Sequence, residues 1–233
     1  MQSFEEIANS RGHVVKILHV PTNIEVSFPA FIKSFSDNIN VDWQAETAYG
    51  RTDDIMNYRS TRRSITISFD VVAASLEKAK ENMAKFNTLQ KMLYPVYSEP
   101  LNLTQGNIGP GTTGRTIVAP PLTRVKFINY IQNVSTNPEE GLLGCITGIK
   151  FDPQIERVGT FIDEQNNLLP KVFNIAFDFK PQHEQTLGWQ ADGSFISEKF
   201  PYDLNRGRRI GSRSSETNQD VRKAETDRIL GVE

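Results

Sequence analysis

Cysteine is almost missing from this chain: Cys145 is the only one among 233 residues, and just three histidines are scattered through them. A single thiol excludes an intramolecular disulfide framework, and the set of soft ligands is too small for a Cys-rich zinc site. Charge of one sign is lacking as well. Twenty-six Lys and Arg against 28 Asp and Glu leave a formal charge of −2, without the basic excess of a general nucleic-acid binder or a polybasic membrane anchor. No apolar run approaches the roughly 18 residues of a membrane span. The opening stretch MQSFEEIANSRG also has no apolar core of the kind an export signal needs, so the expectation is a soluble protein made inside the cell. The glycosylation-type triplets at Asn102 and Asn133 are then chance matches.

What is present is period-two alternation. His13 to Val20 and Ile24 to Phe28 flank the turn residues Pro21-Thr22-Asn23 and read as a hairpin. Ile39, Val41, Trp43 and Ala45 alternate with Asn40, Asp42 and Gln44. After a polar connection from Thr47 to Arg59, Ile65, Ile67, Phe69 and Val71 alternate with Thr66, Ser68 and Asp70. Each alternation predicts a strand with one buried face.

The period then changes. Leu76, Ala79, Met83, Phe86, Leu89 and Leu93 recur at three- and four-residue steps behind a capping Ser75, which predicts an amphipathic helix of about five turns ended by Pro95. Three further strands are expected at Leu122–Tyr130, Leu142–Phe151 and Lys171–Lys180, with a hairpin or protruding loop over Ile155–Leu169, around Asp163–Asn167, between the last two. The element order is β-β-β-β-α-β-β-β. Trp43, Ile65, Ile67, Phe69, Met83 and Phe86 are expected to meet in one core.

Two segments stand apart. Residues 98–121 are rich in Gly, Pro and Thr and read as a long exposed loop, a length that is usually functional or disordered. From Pro181 the chain turns polar and charged, with a few large apolar residues (Trp189, Phe195, Phe200, Tyr202), then Arg206, Arg208, Arg209 and Arg213 answered by nearby acids. The expected division is a β domain over 1–180 and an extended C-terminal interaction arm over 181–233, whose aromatics and arginines anchor on a neighbouring protein.

The candidate chemistry is thin. Gly109-Pro-Gly-Thr-Thr-Gly114-Arg115-Thr116 nearly spells a phosphate-binding loop, but Arg115 replaces the lysine and the following Ile-Val-Ala-Pro-Pro cannot open a helix. His13 and His19 are six residues apart on one strand, too far to share a metal. Cys145 lies in an apolar run and reads as a small buried hydrophobe. Asp53-Asp54 and Glu139-Glu140 are adjacent loop carboxylates, which do not make an opposed acid-base pair. Catalytic, cofactor-binding and metal residues are therefore all expected to be absent. The segment Tyr49 to Arg63 is dense instead in Tyr and Arg, the residues that anchor protein interfaces. Tyr49, Arg51, Asp53, Tyr58 and Arg63 are its candidate contacts.

Trp43, Glu46, Tyr49-Gly50-Arg51, Asp53, Ile55, Tyr58, Thr61, Arg63, Ile65, Ile67, Phe69, Ala73, Ser75, Ala79, Asn82, Leu89 and Leu93-Tyr94-Pro95 together resemble a pattern in baseplate proteins of contractile-tailed bacteriophages. These are proteins with the tail-tube fold, including tube initiators and hub-to-wedge adaptors. The resemblance implies a mainly β, α+β fold in which two packed antiparallel sheets are flanked by one long helix. It also implies a structural, non-enzymatic role as a homo-oligomer in a six-fold ring beside hub, tube or wedge proteins. The place implied is the virion tail baseplate, assembled in the host cytoplasm. Residues 181–233 do not resemble the peptidoglycan-binding LysM module that many adaptors carry, which favours a tube initiator or hub ring component over an adaptor. Alternatives left open are a hub-to-wedge adaptor lacking that module, a ligand-binding or enzymatic β domain that uses loop 98–121 as a lid, and a nucleic-acid-contacting portal or neck component.

Overall fold

The computed structural model describes residues 13–29, 31–99, 115–133, 140–197 and 200–202. The chain is mainly β and antiparallel. Its strands are β1 (Val14–His19), β2 (Ile24–Pro29), β3 (Phe31–Glu46), β4 (Ile55–Val72), β5 (Val96–Tyr97), β6 (Ile117–Ala119), β7 (Thr123–Phe127), β8 (Leu142–Pro153), β9 (Thr160–Ile162), β10 (Leu168–Pro170) and β11 (Val172–Pro181). A helix α1 (Leu76–Lys91) follows β4, and a single turn α2 (Ile155–Val158) precedes β9.

The seven longer strands form one sheet in the order β2-β1-β7-β8-β11-β4-β3, where the resemblance implied two packed sheets. The sheet nevertheless encloses a core, because it curls. In a flat sheet β2 and β4, five strand spacings apart, would be separated by about 24 Å, yet the rings of Phe28 on β2 and Phe69 on β4 are 6.0 Å apart. The two halves of one sheet thus face each other and replace the two sheets. Val15, Ile17, Phe28, Ile65, Ile67, Phe69, Val125, Ile175, Phe177 and Phe179 fill the space between them. The outer face is polar and self-paired: Thr66 Oγ1 donates to Asp178 (2.6 Å), and Asn174 Nδ2 donates to Asp70 (2.9 Å).

α1 starts where expected, since the Ser75 side chain accepts from the Lys78 amide at 3.2 Å. It ends at Lys91, one turn earlier than the hydrophobic pattern suggested, giving 16 residues, or about 24 Å. Its buried stripe is Ala79, Asn82, Phe86 and Leu89. Phe86 stacks on Phe151 of β8 at 4.4 Å and meets Phe173 of β11 at 5.9 Å, which fixes the helix on the sheet. Trp43, expected in this core, is 51% exposed. It lies on the outer stretch of β3, beyond the last core row and outside the lining of the cleft that reaches Ile39.

Gly144 on β8 shows how closely the strands approach. A Cβ there would lie 2.3 Å from the Lys180 carbonyl oxygen and 2.7 Å from the Phe179 ring, whereas a Cβ at Gly148, on the same strand, would meet nothing within 4 Å. Gly144→Ala should destabilise the fold by about 1–3 kcal/mol, because the obstacle is backbone and cannot swing away. Gly148→Ala should stay within about 0.5 kcal/mol of wild type. Urea unfolding of the two variants checks the pair; equal midpoints would mean that β8 and β11 can separate at no cost.

Candidate assembly surface

β4 is 18 residues long, but β11 pairs only with its last part, from Ile65 to Val72. Its first part pairs with β3 alone, from Ile39↔Arg63 out to Glu46↔Ile55. The result is a two-stranded ribbon that runs beyond the sheet. Ile55–Arg59, read from sequence as part of a polar connection, is strand; the connection shrinks to residues 47–54. The reason is register: each of these residues except Arg59, at the bulge, faces a β3 residue, and the ladder absorbs their backbone groups.

Residues directly opposite in an antiparallel pair share a face. Ile39 with Arg63, Val41 with Thr61, Trp43 with Tyr58 and Ala45 with Met56 therefore share one side, past a bulge between Asp42 and Trp43. This side continues the row Ile65, Ile67, Phe69 that lines the core. The opposite side carries Asn38, Asn40, Asp42, Gln44 and Glu46 against Ser64, Arg62, Ser60, Asn57 and Ile55. The ribbon is thus amphipathic, and its apolar side is only partly covered: Ile39, Val41, Trp43, Met56 and Tyr58 are each about half exposed. Trp43 and Tyr58 stack edge-to-face at 5.5 Å. Tyr49 in the connecting turn is fully exposed, and Arg51 and Asp53 beside it are exposed too.

Where core row passes into ribbon, Asp37 and Arg63 form a buried ion pair. Arg63 Nε donates to both carboxylate oxygens at 2.9 and 3.1 Å, and the side chains are 7% and 5% exposed. Tyr202 Oη donates to the same carboxylate at 2.6 Å. The guanidinium also lies over the rings of Phe200 (5.2 Å) and Tyr202 (5.9 Å), contacts that are worth more when water is excluded. Burial pushes the Asp37 carboxyl upward, but the hydrogen bonds from Arg63 and Tyr202, with the charges of Arg63 and His183, outweigh it and hold the group below its ordinary value.

These partners belong to a strap that leaves β11 and returns across the sheet. Its first residues are tied to the β7–β8 side: Gln182 N donates to Leu143 O (2.8 Å), and Glu184 accepts from Arg124 (2.6 and 3.0 Å) and from Asn133 (3.0 Å). Its last residues reach Asp37 on β3. Between them Trp189 bridges to Phe195, and Phe195 stacks on Phe200 at 5.9 Å. Strap and ribbon base enclose an apolar cleft of about 530 Å³ lined by Ile39, Tyr58, Leu187, Trp189, Phe195 and Phe200, with His183 and Arg63 in its wall.

The sequence placed residues 181–202 in an arm crossing to another protein. Their described part folds onto the chain's own sheet, and the compact unit runs to Tyr202. Phe195, Phe200 and Tyr202 are half-buried there and only Trp189 stays exposed, because the Arg63 guanidinium and the ribbon base supply the surface that the aromatics need. Arg63, expected as an interface contact, is spent on Asp37. Arg206, Arg208 and Arg209 lie outside the described residues, as does most of the loop 98–121 with its glycines. The end of that loop is described: Thr116 N donates to Ser98 Oγ and leads into strand β6, where a phosphate-binding loop would lead into a helix. Cys145 is half-buried, because it lies on β8 beside Lys180 near the end of the ladder.

No protein-family model matches the chain, and no curated protein does. Among solved structures it is similar to a chain in "Cryo-EM structure of the anti-feeding prophage (AFP) baseplate, 6-fold symmetrised". The two are 8% identical, the match covers 71% of this chain and 87% of that one, and the TM-score is 0.28. At that score the likeness carries no argument about role.

Proposed function

We propose that this protein is a structural, non-catalytic subunit of a contractile-tail baseplate, in which copies stand side by side in a ring at the hub or tube interface and the β3–β4 ribbon lies between neighbours. The ribbon carries this reading. A two-stranded ribbon is marginal in water by itself, and an apolar face of this extent is rare on a monomer unless something docks on it. Among the described strands, the ribbon part of β3, Ile39–Glu46, pairs with β4 alone, which leaves its outer edge for a neighbouring strand. With the apolar side against a neighbour, the Asn-, Gln- and Ser-rich side is left to water. The resemblance of Trp43 to Pro95 to tail-tube-fold baseplate proteins takes in the outer part of this ribbon, and that resemblance supplies the baseplate context.

The reading is tested with Trp43→Ser combined with Tyr58→Ser. Both side chains are half exposed, so the variant should unfold within about 1 kcal/mol of wild type while losing incorporation into assembled tails, scored by the amount of this chain in purified particles. Particle density should place the ribbon against a second copy. Normal incorporation of the double variant, or a ribbon facing solvent in the assembled particle, would overturn the proposal.

A further inference from the structure

We infer that residues 182–197, with 200–202, form a cover over the base of the ribbon's apolar face that loosens when His183 takes up a proton. The inference does not depend on the ring reading. His183 packs edge-on against Phe200 at 5.5 Å and shares the cleft wall with Arg63. Among the described residues, the charged and titratable groups around it are Arg63 on β4, Asp37 on β3, and Tyr202 and Glu184 on the strap, the last held by Arg124 of β7. The two carboxylates are already engaged. Asp37 accepts from Arg63 and Tyr202, and Glu184 accepts from Arg124 and Asn133. A proton on His183 thus adds a second cation beside a buried guanidinium whose counter-charge is in use.

The sign follows from this geometry. Burial and the Arg63 charge hold His183 below its ordinary value, with Asp37 opposing in part. Once the cover opens, the imidazole returns to water and to an ordinary value near ~6.5. The open form therefore binds the proton better, and the closed form is favoured above ~6.5 and loses ground as pH falls from there. If only the open form were protonated, opening would be favoured about thirtyfold at pH 5 relative to pH 8; protonation of the closed form lowers that ceiling. Loosening frees Ile39, Tyr58 and Thr61 at the ribbon base, so the apolar face grows in acid.

Hydrogen exchange on the full chain at pH 8 and pH 5, corrected for the intrinsic rate, reads this directly. Peptides within 182–197 should open several-fold to about thirtyfold more at pH 5, while β4 and β11 keep their protection. His183→Gln should abolish the response, and His19→Gln, in the sheet, should leave it intact. An unchanged strap, a response that survives His183→Gln, or core strands opening in step would each overturn the inference. NMR titration of the His183 ring in the wild type gives a readout that needs no variant. A midpoint at or above that of free histidine would refute the mechanism.

Discussion

Asp37→Ala should destabilise the protein by about 3–5 kcal/mol, because it strands a guanidinium that is 5% exposed without its counter-charge. It also removes the acceptor for Tyr202 Oη, so the end of the strap should loosen at the same time. The loss measures a broken pair, not the net worth of an intact one. Replacing both partners together, Asp37→Leu with Arg63→Met, should recover most of the stability, since a buried pair exchanged for apolar groups is often near neutral. Urea unfolding of the single and double variants separates these terms. A single-variant loss under about 1 kcal/mol would mean that water reaches Arg63. The same pair sets part of the acid limb. Because Asp37 is held below its ordinary value, its contribution is complete above the normal carboxylate range and is lost as pH falls through the lowered value. Asp37→Asn should flatten that limb below about pH 4.

Phe86→Ala should cost a similar amount, about 3–5 kcal/mol. The ring is 2% exposed and wedged against Phe151 and Phe173, so truncation leaves a cavity between helix and sheet that neither can close. Trp43→Ala is the informative contrast. Trp43 is the larger side chain, yet its change should cost under about 1 kcal/mol in the isolated protein because half of it is already wet. Thermal unfolding of the two variants ranks them, and a Trp43 loss equal to that of Phe86 would mean the ribbon's apolar side is covered in the monomer.

That contrast shows where sequence reading stops. Alternation along Ile39–Ala45 and along Ile65–Val71 was legible, as were the switch to helical spacing at Leu76 and the Ser75 cap, because period and capping are local properties of a few neighbouring residues. Alternation states that one face is apolar; it does not state what lies on it. For Ile65, Ile67 and Phe69 the cover is the other half of a curled sheet, brought there by pairing with a strand more than 100 residues later. For Val41 and Trp43, on the same continuous face, the described chain supplies nothing. The strands Ile55–Arg59 and the strap were missed for a related reason. Neither shows a clean local period, and what orders them is distant: the opposite strand of the ribbon in one case, the Asp37–Arg63 pair in the other. By itself, then, the sequence determined the long strands, the helix, their alternating faces and, through its single thiol, that no intramolecular disulfide can form, all carried by residue type and short spacing. Tertiary structure decided that the seven strands make one curled sheet, that Arg63 is buried while Trp43 is not, and that the aromatics after Pro181 close over the chain's own ribbon, because each of these depends on contacts that chain entropy leaves open until the whole fold forms.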